Sequence, residues 1–259
     1  MSAGRPMNVQ HPTSNSQRPR ELRGDQRKPA PPGRANNRKL SSTRLLAEFI
    51  VLFLLLPIPF CFVEFIRPFL IPTLVAVALA CFVSLRRDEL FPREHLWNVR
   101  KAVASLGGIC ISFLVAGIAL TAFVYFFDRD SFLLLPRKKP LLWVAIMFLY
   151  PLLSVYPQEV IYRAFLFHRY KSIFPTPAAG ILISALVFGF VHIVFKHYMS
   201  VVLSLIAGAF FAITYARTKS LAAVWLQHAL FGALIFTLGL GKYFFHGTVK
   251  VAELISERL

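Results

Sequence analysis

The sequence predicts an all-α protein, a polytopic transmembrane bundle of about seven helices. Of the 259 residues, 56% are hydrophobic and 16% are charged, and the mean hydropathy is +0.60. Soluble globular domains are about 45–50% apolar and about 25% charged. The apolar residues also fall in blocks of roughly 18–25 residues, the length needed to cross about 30 Å of hydrocarbon. These blocks lack the polar faces of helices that pack on a soluble core.

The first segment of the chain, residues 1–44, differs in composition from the rest. It contains ten Lys or Arg residues, two acidic residues and six prolines. Such a segment cannot bury enough apolar surface to offset the entropy that ordering would cost. We therefore expect a disordered, basic, cytoplasmic tail at 1–44 and a transmembrane bundle at 45–259.

Seven apolar blocks follow this tail, and prolines and charges separate most of them. Each block is long enough for one membrane span, with ends defined to within a few residues. The predicted spans are about 45–64, 68–85, 102–127, 141–167, 177–196, 199–216 and 220–240.

Most of the basic residues behind the net charge of +17 lie outside these blocks. Proteins that bind single-stranded nucleic acid interleave basic and aromatic residues. The tail has no aromatic residue, so we expect no nucleic acid partner. Because basic loops favour the cytoplasmic side, we expect an integral membrane protein with a cytoplasmic N-terminus. We also expect the membrane to be the inner membrane of a bacterium. The loop at 128–140, with four Lys or Arg residues, then lies on the wrong side and conflicts with this orientation.

Four ionisable residues, Glu159, Arg163, His192 and His228, lie within or at the ends of the later spans. Ionisable side chains are costly in hydrocarbon and usually mark function. At a rise of 1.5 Å per residue, Glu159, His192 and His228 lie roughly 16, 22 and 13 Å below the cytoplasmic face. They therefore share one layer about 10 Å thick. Glu159 and Arg163 are four residues apart on one helix face, which predicts an ion pair.

These side chains are suited to hydrolysis. A carboxylate and a histidine can hold and deprotonate one water molecule, and a second histidine can stabilise an oxyanion. Glu159, His192 and His228 could instead bind a metal such as zinc, although the HExxH motif is absent. A proton-coupled transporter also uses buried Glu and His residues, but it usually contains inverted repeats, which we do not find. Trp143, Tyr150, Trp225 and Tyr243 are interpreted as membrane-belt or packing residues.

Three motifs in this region resemble those of the CPBP (Abi) family, which comprises CAAX-prenyl-protease and bacteriocin-processing intramembrane proteases. The run from Gln158 to Arg163 resembles the EExxxR motif of the family. The run from Phe188 to His192 resembles its FxxxH motif, and the run from His228 to Gly232 resembles its HxxxN/D motif. Order and spacing agree, and the protease-like core covers about 140–240.

The resemblance implies an intramembrane endopeptidase that acts on a prenylated or otherwise membrane-associated peptide or protein. Its partners would be membrane lipid and that substrate. The family was first described as metalloproteases and later as glutamic-type enzymes, so either no cofactor is required or a divalent metal such as zinc is bound. The expected catalytic residues are Glu159, His192 and His228. The expected supporting residues are Arg163, Gln158, Phe188 and Gly232.

Two positions depart from the family motifs. Gln158 stands where the family has its first Glu, and Gly232 stands where it has Asn or Asp. Because Gln cannot act as a base, either Glu159 takes that role or the chain is a weak or inactive family member. An inactive member would act as a membrane-bound binding, chaperone or immunity protein. Loss of the Asn weakens the oxyanion site but leaves His228 in place.

Overall fold

The computed structural model describes residues 41–244, so most of the predicted tail lies outside the described residues. Within 41–244 the chain forms helices and no β-strand, which confirms the all-α prediction. Seven of these helices are long and apolar enough to cross a membrane, as predicted. They are α1 (Ser42–Phe62), α2 (Glu64–Arg87), α3 (Leu106–Phe127), α4 (Pro140–Arg169), α5 (Pro177–Phe195), α6 (Tyr198–Thr218) and α7 (Leu221–Leu238).

Hydroxyl side chains fix where several of these helices begin. Ser41 Oγ accepts a hydrogen bond from the Arg44 amide, so α1 begins at Ser42, slightly before the predicted end of the tail. Thr176 caps α5 in the same way, and Pro177 occupies its first position. Such caps satisfy backbone N–H groups that the first helical turn leaves without partners. Shorter helical segments lie in the connections, at Arg93–His95, Val99–Ala104, Arg129–Ser131, Leu134–Lys138 and Leu240–Phe244.

The connections group at two ends of the bundle. At one end, His168 Nε2 lies 2.8 Å from Asp88 Oδ2, and the adjacent Arg169 bonds Glu48 of α1. At the other end, Lys242 Nζ lies 2.6 Å from Asp128 Oδ2. Because successive spans alternate direction, the 128–139 connection lies at the end opposite residue 41, together with the segment that follows α7.

Helices α5 and α6 approach each other closely at two glycines. A Cβ at Gly189 would lie 2.9 Å from Leu205 Cβ, and one at Gly208 would lie 2.9 Å from Phe188 Cδ1. Both distances are shorter than van der Waals contact allows, so neither position accepts a side chain without movement. Small residues let membrane helices pack backbone to backbone. This close packing holds the Phe188–His192 turn of α5 against α6.

Helix α4 is irregular where it carries the first motif. Wide π-helical turns at Pro151–Val155 and Val160–Phe165 flank a regular turn at Tyr156–Glu159. Prolines 151 and 157 lack the N–H that would complete a regular ladder. Single π-turns inside α-helices are common at functional sites because they re-aim side chains. In α4 they set which faces Gln158 and Glu159 present to the bundle.

Candidate active site

The carboxylate of Glu159 lies in the centre of the bundle and is fully buried. Its Oε1 atom is 2.7 Å from His228 Nδ1 on α7, and its Oε2 atom is 3.4 Å from Arg163 Nε. The ion pair predicted from the four-residue spacing is therefore present. The structure also joins Glu159 to His228, which agrees with the shared depth estimated from the sequence.

Arg163 connects three helices around this carboxylate. Its Nη1 atom donates to the Tyr162 carbonyl at 3.2 Å and to Ser184 Oγ on α5 at 3.1 Å. Its Nη2 atom donates to the Gly208 carbonyl on α6 at 3.4 Å. The guanidinium carbon also lies 4.8 Å from the ring centre of Phe188. A buried charge needs several partners to offset its loss of hydration. Through these partners Arg163 connects α4, α5 and α6 next to Glu159.

His228 links Glu159 to a tyrosine. While Nδ1 faces the carboxylate, Nε2 lies 3.0 Å from the hydroxyl of Tyr150 on α4. The imidazole also stacks on Phe211, with 4.5 Å between ring centres. Because a carboxylate only accepts hydrogen bonds, Nδ1 carries a proton and, in the neutral ring, Nε2 accepts from Tyr150. The result is a carboxylate–imidazole–hydroxyl chain in which both ring nitrogens have partners.

His192 is held differently. Its Nδ1 atom lies 2.6 Å from the Phe188 carbonyl oxygen, which can only accept, so Nδ1 is the donor. In the neutral ring the lone pair is then on Nε2, and no described residue bonds that atom. His192 lines a cavity, so this lone pair is available to a molecule bound there. The structure gives no direct contact between His192 and Glu159, two of the three expected catalytic residues.

The cavity has a volume of about 540 Å³ and lies between α2, α4, α5, α6 and α7. Ligand pockets are commonly about 300–1,000 Å³ and mostly apolar, with a few polar groups. Here the polar groups include Tyr150, Gln158, His192 and His228, and Gly232 lies beside them. Glu159 does not line the cavity. Its carboxylate contacts His228 Nδ1 and so orients that imidazole.

Gln158 occupies the cavity wall at the position where the family has an acid. Its Nε2 atom donates to Ser154 Oγ at 2.7 Å, one turn earlier in α4. Its Oε1 atom is buried and has no hydrogen-bond partner among the described residues. A buried amide oxygen without a partner is costly, so a donor from a bound molecule would stabilise it.

Tyr150 contacts the site, whereas the sequence pattern predicts a belt or packing residue at this position. A Cβ at Gly232 would lie 2.6 Å from the Tyr150 hydroxyl and 2.7 Å from its Cζ atom. The tyrosine ring thus occupies the space that a side chain at position 232 would need. The ring reaches His228 from α4 through the space that an Asn at position 232 would need.

The residues proposed as zinc ligands do not fit such a site in this arrangement. Among residues 41–244, no three His, Cys, Asp or Glu side chains group as metal ligands. Both nitrogens of His228 already bond protein groups, and Nδ1 of His192 bonds a carbonyl. Nε2 of His192 and Oε2 of Glu159, which lies 3.4 Å from Arg163 Nε, are the atoms of the proposed ligands that remain without a hydrogen bond among the described residues. Two such atoms are fewer than the three or four protein ligands of zinc sites.

Residues 139–234 match the family model described as "Type II CAAX prenyl endopeptidase Rce1-like". The matched region contains all three motif runs and confirms the resemblance to the CPBP family. No curated protein and no solved structure matches the chain. The matched family is a protease family, and together with the seven apolar helices it indicates an integral membrane protein.

Proposed function

We propose that this chain is an intramembrane endopeptidase that hydrolyses a prenylated or otherwise membrane-associated peptide in the cavity beside His192 and His228. The observation that carries the proposal is the tautomer of His192, which leaves Nε2 without a partner among the described residues. His192 lines a mostly apolar pocket together with Tyr150, Gln158 and His228. The match to a CAAX prenyl endopeptidase family supports the substrate class.

In the proposed reaction, His192 Nε2 removes a proton from a water molecule as its oxygen attacks the peptide carbonyl carbon. Gln158 has one amide N–H beyond the one bonded to Ser154, and that N–H donates to the oxyanion. The C–N bond then breaks, and His192 returns the proton to the leaving nitrogen. The products are a carboxylic acid and an amine, so atoms and charges balance. Glu159 acts through His228, which holds the Tyr150 hydroxyl at the cavity wall.

Variants at position 158 test this assignment. Gln158→Glu removes the amide donor and places a carboxylate beside the developing oxyanion, so it is expected to lower the cleavage rate of a prenylated CAAX peptide by purified protein. Gln158→Ala removes the oxyanion donor and is expected to lower kcat by about 10²–10³-fold. Adding a chelator should leave wild-type cleavage unchanged. Unchanged activity in Gln158→Ala would contradict the role of the amide, and loss of activity with chelator would contradict hydrolysis without metal.

A second candidate function is peptide binding without cleavage. It is favoured by one observation: among the described residues, no Asp or Glu lines the cavity, and Gln158 occupies the position of the family acid. Under this alternative, purified wild-type protein binds the prenylated peptide but leaves it intact. Cleavage by Gln158→Glu alone would then identify the wild-type chain as a binding protein with a dormant peptidase site.

We further propose that the N-terminus is cytoplasmic and that the membrane is the inner membrane of a bacterium. The loop at 86–101, which has five Lys or Arg residues, lies at the same end of the bundle as residue 41. This end also carries Arg169, Lys171, Arg217 and Lys219. Labelling of single cysteines introduced at Glu89 and Asp130, with a reagent that does not cross membranes, tests the orientation. Asp130→Cys should react in intact cells, and Glu89→Cys should react only after lysis.

A further inference from the structure

One charged residue on the cavity wall has donors without partners. Arg67, near the start of α2, is the only Lys, Arg, Asp or Glu among the described residues that line the cavity. Its Nη1 atom lies 3.3 Å from Glu64 Oε1, and the Glu64 side chain is 80% exposed. Its Nε and Nη2 atoms are buried and have no hydrogen-bond partner among the described residues. The Arg67 side chain as a whole is 21% exposed. An exposed ion pair contributes little, so Glu64 does not account for the burial of Nε and Nη2.

The two unpartnered atoms form one edge of the guanidinium, and that edge matches a carboxylate. Nε–H and Nη2–H point in nearly parallel directions and can each donate to one oxygen of the same group. The chain contains this pairing elsewhere. Arg169 donates from Nε to Glu48 Oε1 at 3.0 Å and from Nη2 to Glu48 Oε2 at 2.7 Å. Arg67 presents the same edge without the acid.

We propose that Arg67 binds the free C-terminal carboxylate of the peptide in the cavity. This inference rests on the proposed function only in taking a peptide as the ligand. Most of the cavity wall is aliphatic or aromatic, including Leu70, Ile71, Leu142 and Ile146. A peptide end with apolar side chains and a terminal carboxylate matches this combination of one cation and an apolar surface. Arginine has rotatable terminal torsions, so its guanidinium can turn toward a bound carboxylate.

Binding of the terminal carboxylate at Arg67 would also set the direction in which the peptide lies in the cavity. Arg67 lies near the start of α2, at the end of the bundle that holds the 128–139 connection. Gln158 and His228 enter from within α4 and α7. A carboxylate held by Arg67 would place the residues before it along the apolar wall and an internal peptide bond beside His192. Arg67 would thus select chain ends and exclude internal segments of longer polypeptides.

The test compares two peptides that differ in one group. Each is a prenylated CAAX peptide with a fluorophore, one with a free C-terminal carboxylate and one with a C-terminal amide. Binding is measured on the full chain in lipid nanodiscs, in the His192→Ala background to prevent turnover. His192→Ala alone should bind the carboxylate roughly 10- to 100-fold more tightly than the amide, the range expected for hydrogen bonds to a charged group. The double variant with His192→Ala and Arg67→Gln should bind both peptides as weakly as the His192→Ala protein binds the amide.

Control variants distinguish the effect of the paired Nε–H and Nη2–H donors of Arg67 from the effect of its charge alone. Arg67→Lys keeps the charge but not the parallel donors, so it should retain only part of the preference. Arg129→Gln makes the same change in charge at the same end of the bundle, next to Tyr125 and outside the cavity. It should keep the full preference. Equal loss in Arg129→Gln and Arg67→Gln would attribute the effect to the surface field and overturn the proposal.

Each remaining outcome is decisive. Equal binding of both peptides by the His192→Ala protein overturns the anchor and leaves the proposed peptidase intact. Binding of neither peptide overturns both. A carboxylate preference without cleavage by the wild-type chain supports the anchor and rejects hydrolysis. Native mass spectrometry tests the alternative that Arg67 binds an anionic phospholipid. If Arg67→Gln releases a bound phospholipid and leaves the peptide preference unchanged, the site holds a lipid headgroup and the proposal fails.

Discussion

An Asn at position 232, the residue of the family motif that this region resembles, should destabilise this protein. In Gly232→Asn, the new Cβ and amide would enter the space that the Tyr150 ring occupies, where the hydroxyl is only 2.6 Å from an ideal Cβ. The ring cannot stay in place, because real Cβ atoms do not approach other atoms so closely. Moving it also breaks the 3.0 Å hydrogen bond between the Tyr150 hydroxyl and His228 Nε2.

The magnitude follows from these two losses. Overpacking a close-fitting interior costs about 1–3 kcal/mol, and one hydrogen bond contributes about 0.5–1.5 kcal/mol. We therefore expect Gly232→Asn to lower the free energy of unfolding by about 2–4 kcal/mol. In a Tyr150→Ala background the ring is absent, so the same substitution should cost less than about 1 kcal/mol.

The assay is a double-mutant cycle on protein purified in one detergent, with unfolding followed by circular dichroism during titration with denaturant. Tyr150→Phe provides the matched control, because it keeps the ring but loses the hydroxyl. Gly232→Asn should remain costly in that background. If Gly232→Asn costs as much in Tyr150→Ala as in wild type, the tyrosine is not what excludes a side chain from position 232.

Three other substitutions probe the groups around the site. Glu159→Gln leaves Arg163 buried without its anionic partner and should cost about 3–5 kcal/mol of unfolding free energy, whereas the exposed Glu64→Gln should change little. Ser184→Ala removes the hydroxyl that bonds both the Tyr162 carbonyl and Arg163, so it should cost about 1–3 kcal/mol in the same assay. The hydrogen bond from His168 lowers the pKa of Asp88, so this carboxylate stabilises the fold above its ordinary pKa near 3.8, and the contribution is lost as pH falls through the lowered value. Asp88→Asn should accordingly lower Tm at pH 6, and this loss should shrink as pH falls below 3.8, while Asp130→Asn leaves Tm unchanged over the same range.

The sequence predicts the framework of this fold because a membrane restricts the choices. Apolar blocks of sufficient length must be helices, since backbone groups in hydrocarbon need internal partners. The Glu159–Arg163 pair follows from helical periodicity, and the Glu159–His228 contact agrees with a depth estimate from the rise per residue. The helices, the ion pair and the shared depth all follow from helical geometry, which can be applied directly to positions in the sequence.

Other features depend on rotation and on distant partners. Neighbouring helical residues differ by about 100° in direction, so only one of Gln158 and Glu159 can face the cavity. The π-helical turns of α4 influence which one does, and no periodic pattern in the sequence reveals them. The sequence therefore left Glu159 as the remaining base, whereas the structure places Gln158 on the wall. Tyr150 lies 78 residues from its partner His228, and an aromatic residue in an apolar span carries no signal that separates a site residue from packing.

The central claim is that water is added across a peptide bond beside His192. Purified wild-type protein should cleave a prenylated CAAX peptide in water enriched in oxygen-18, and mass spectrometry should find one heavy oxygen in the new carboxyl group. His192→Ala should abolish this product, and His95→Ala, which removes an imidazole outside the cavity, should form it at the wild-type rate. A labelled product from His192→Ala at the wild-type rate, or an intact peptide with the wild-type protein, would contradict the account.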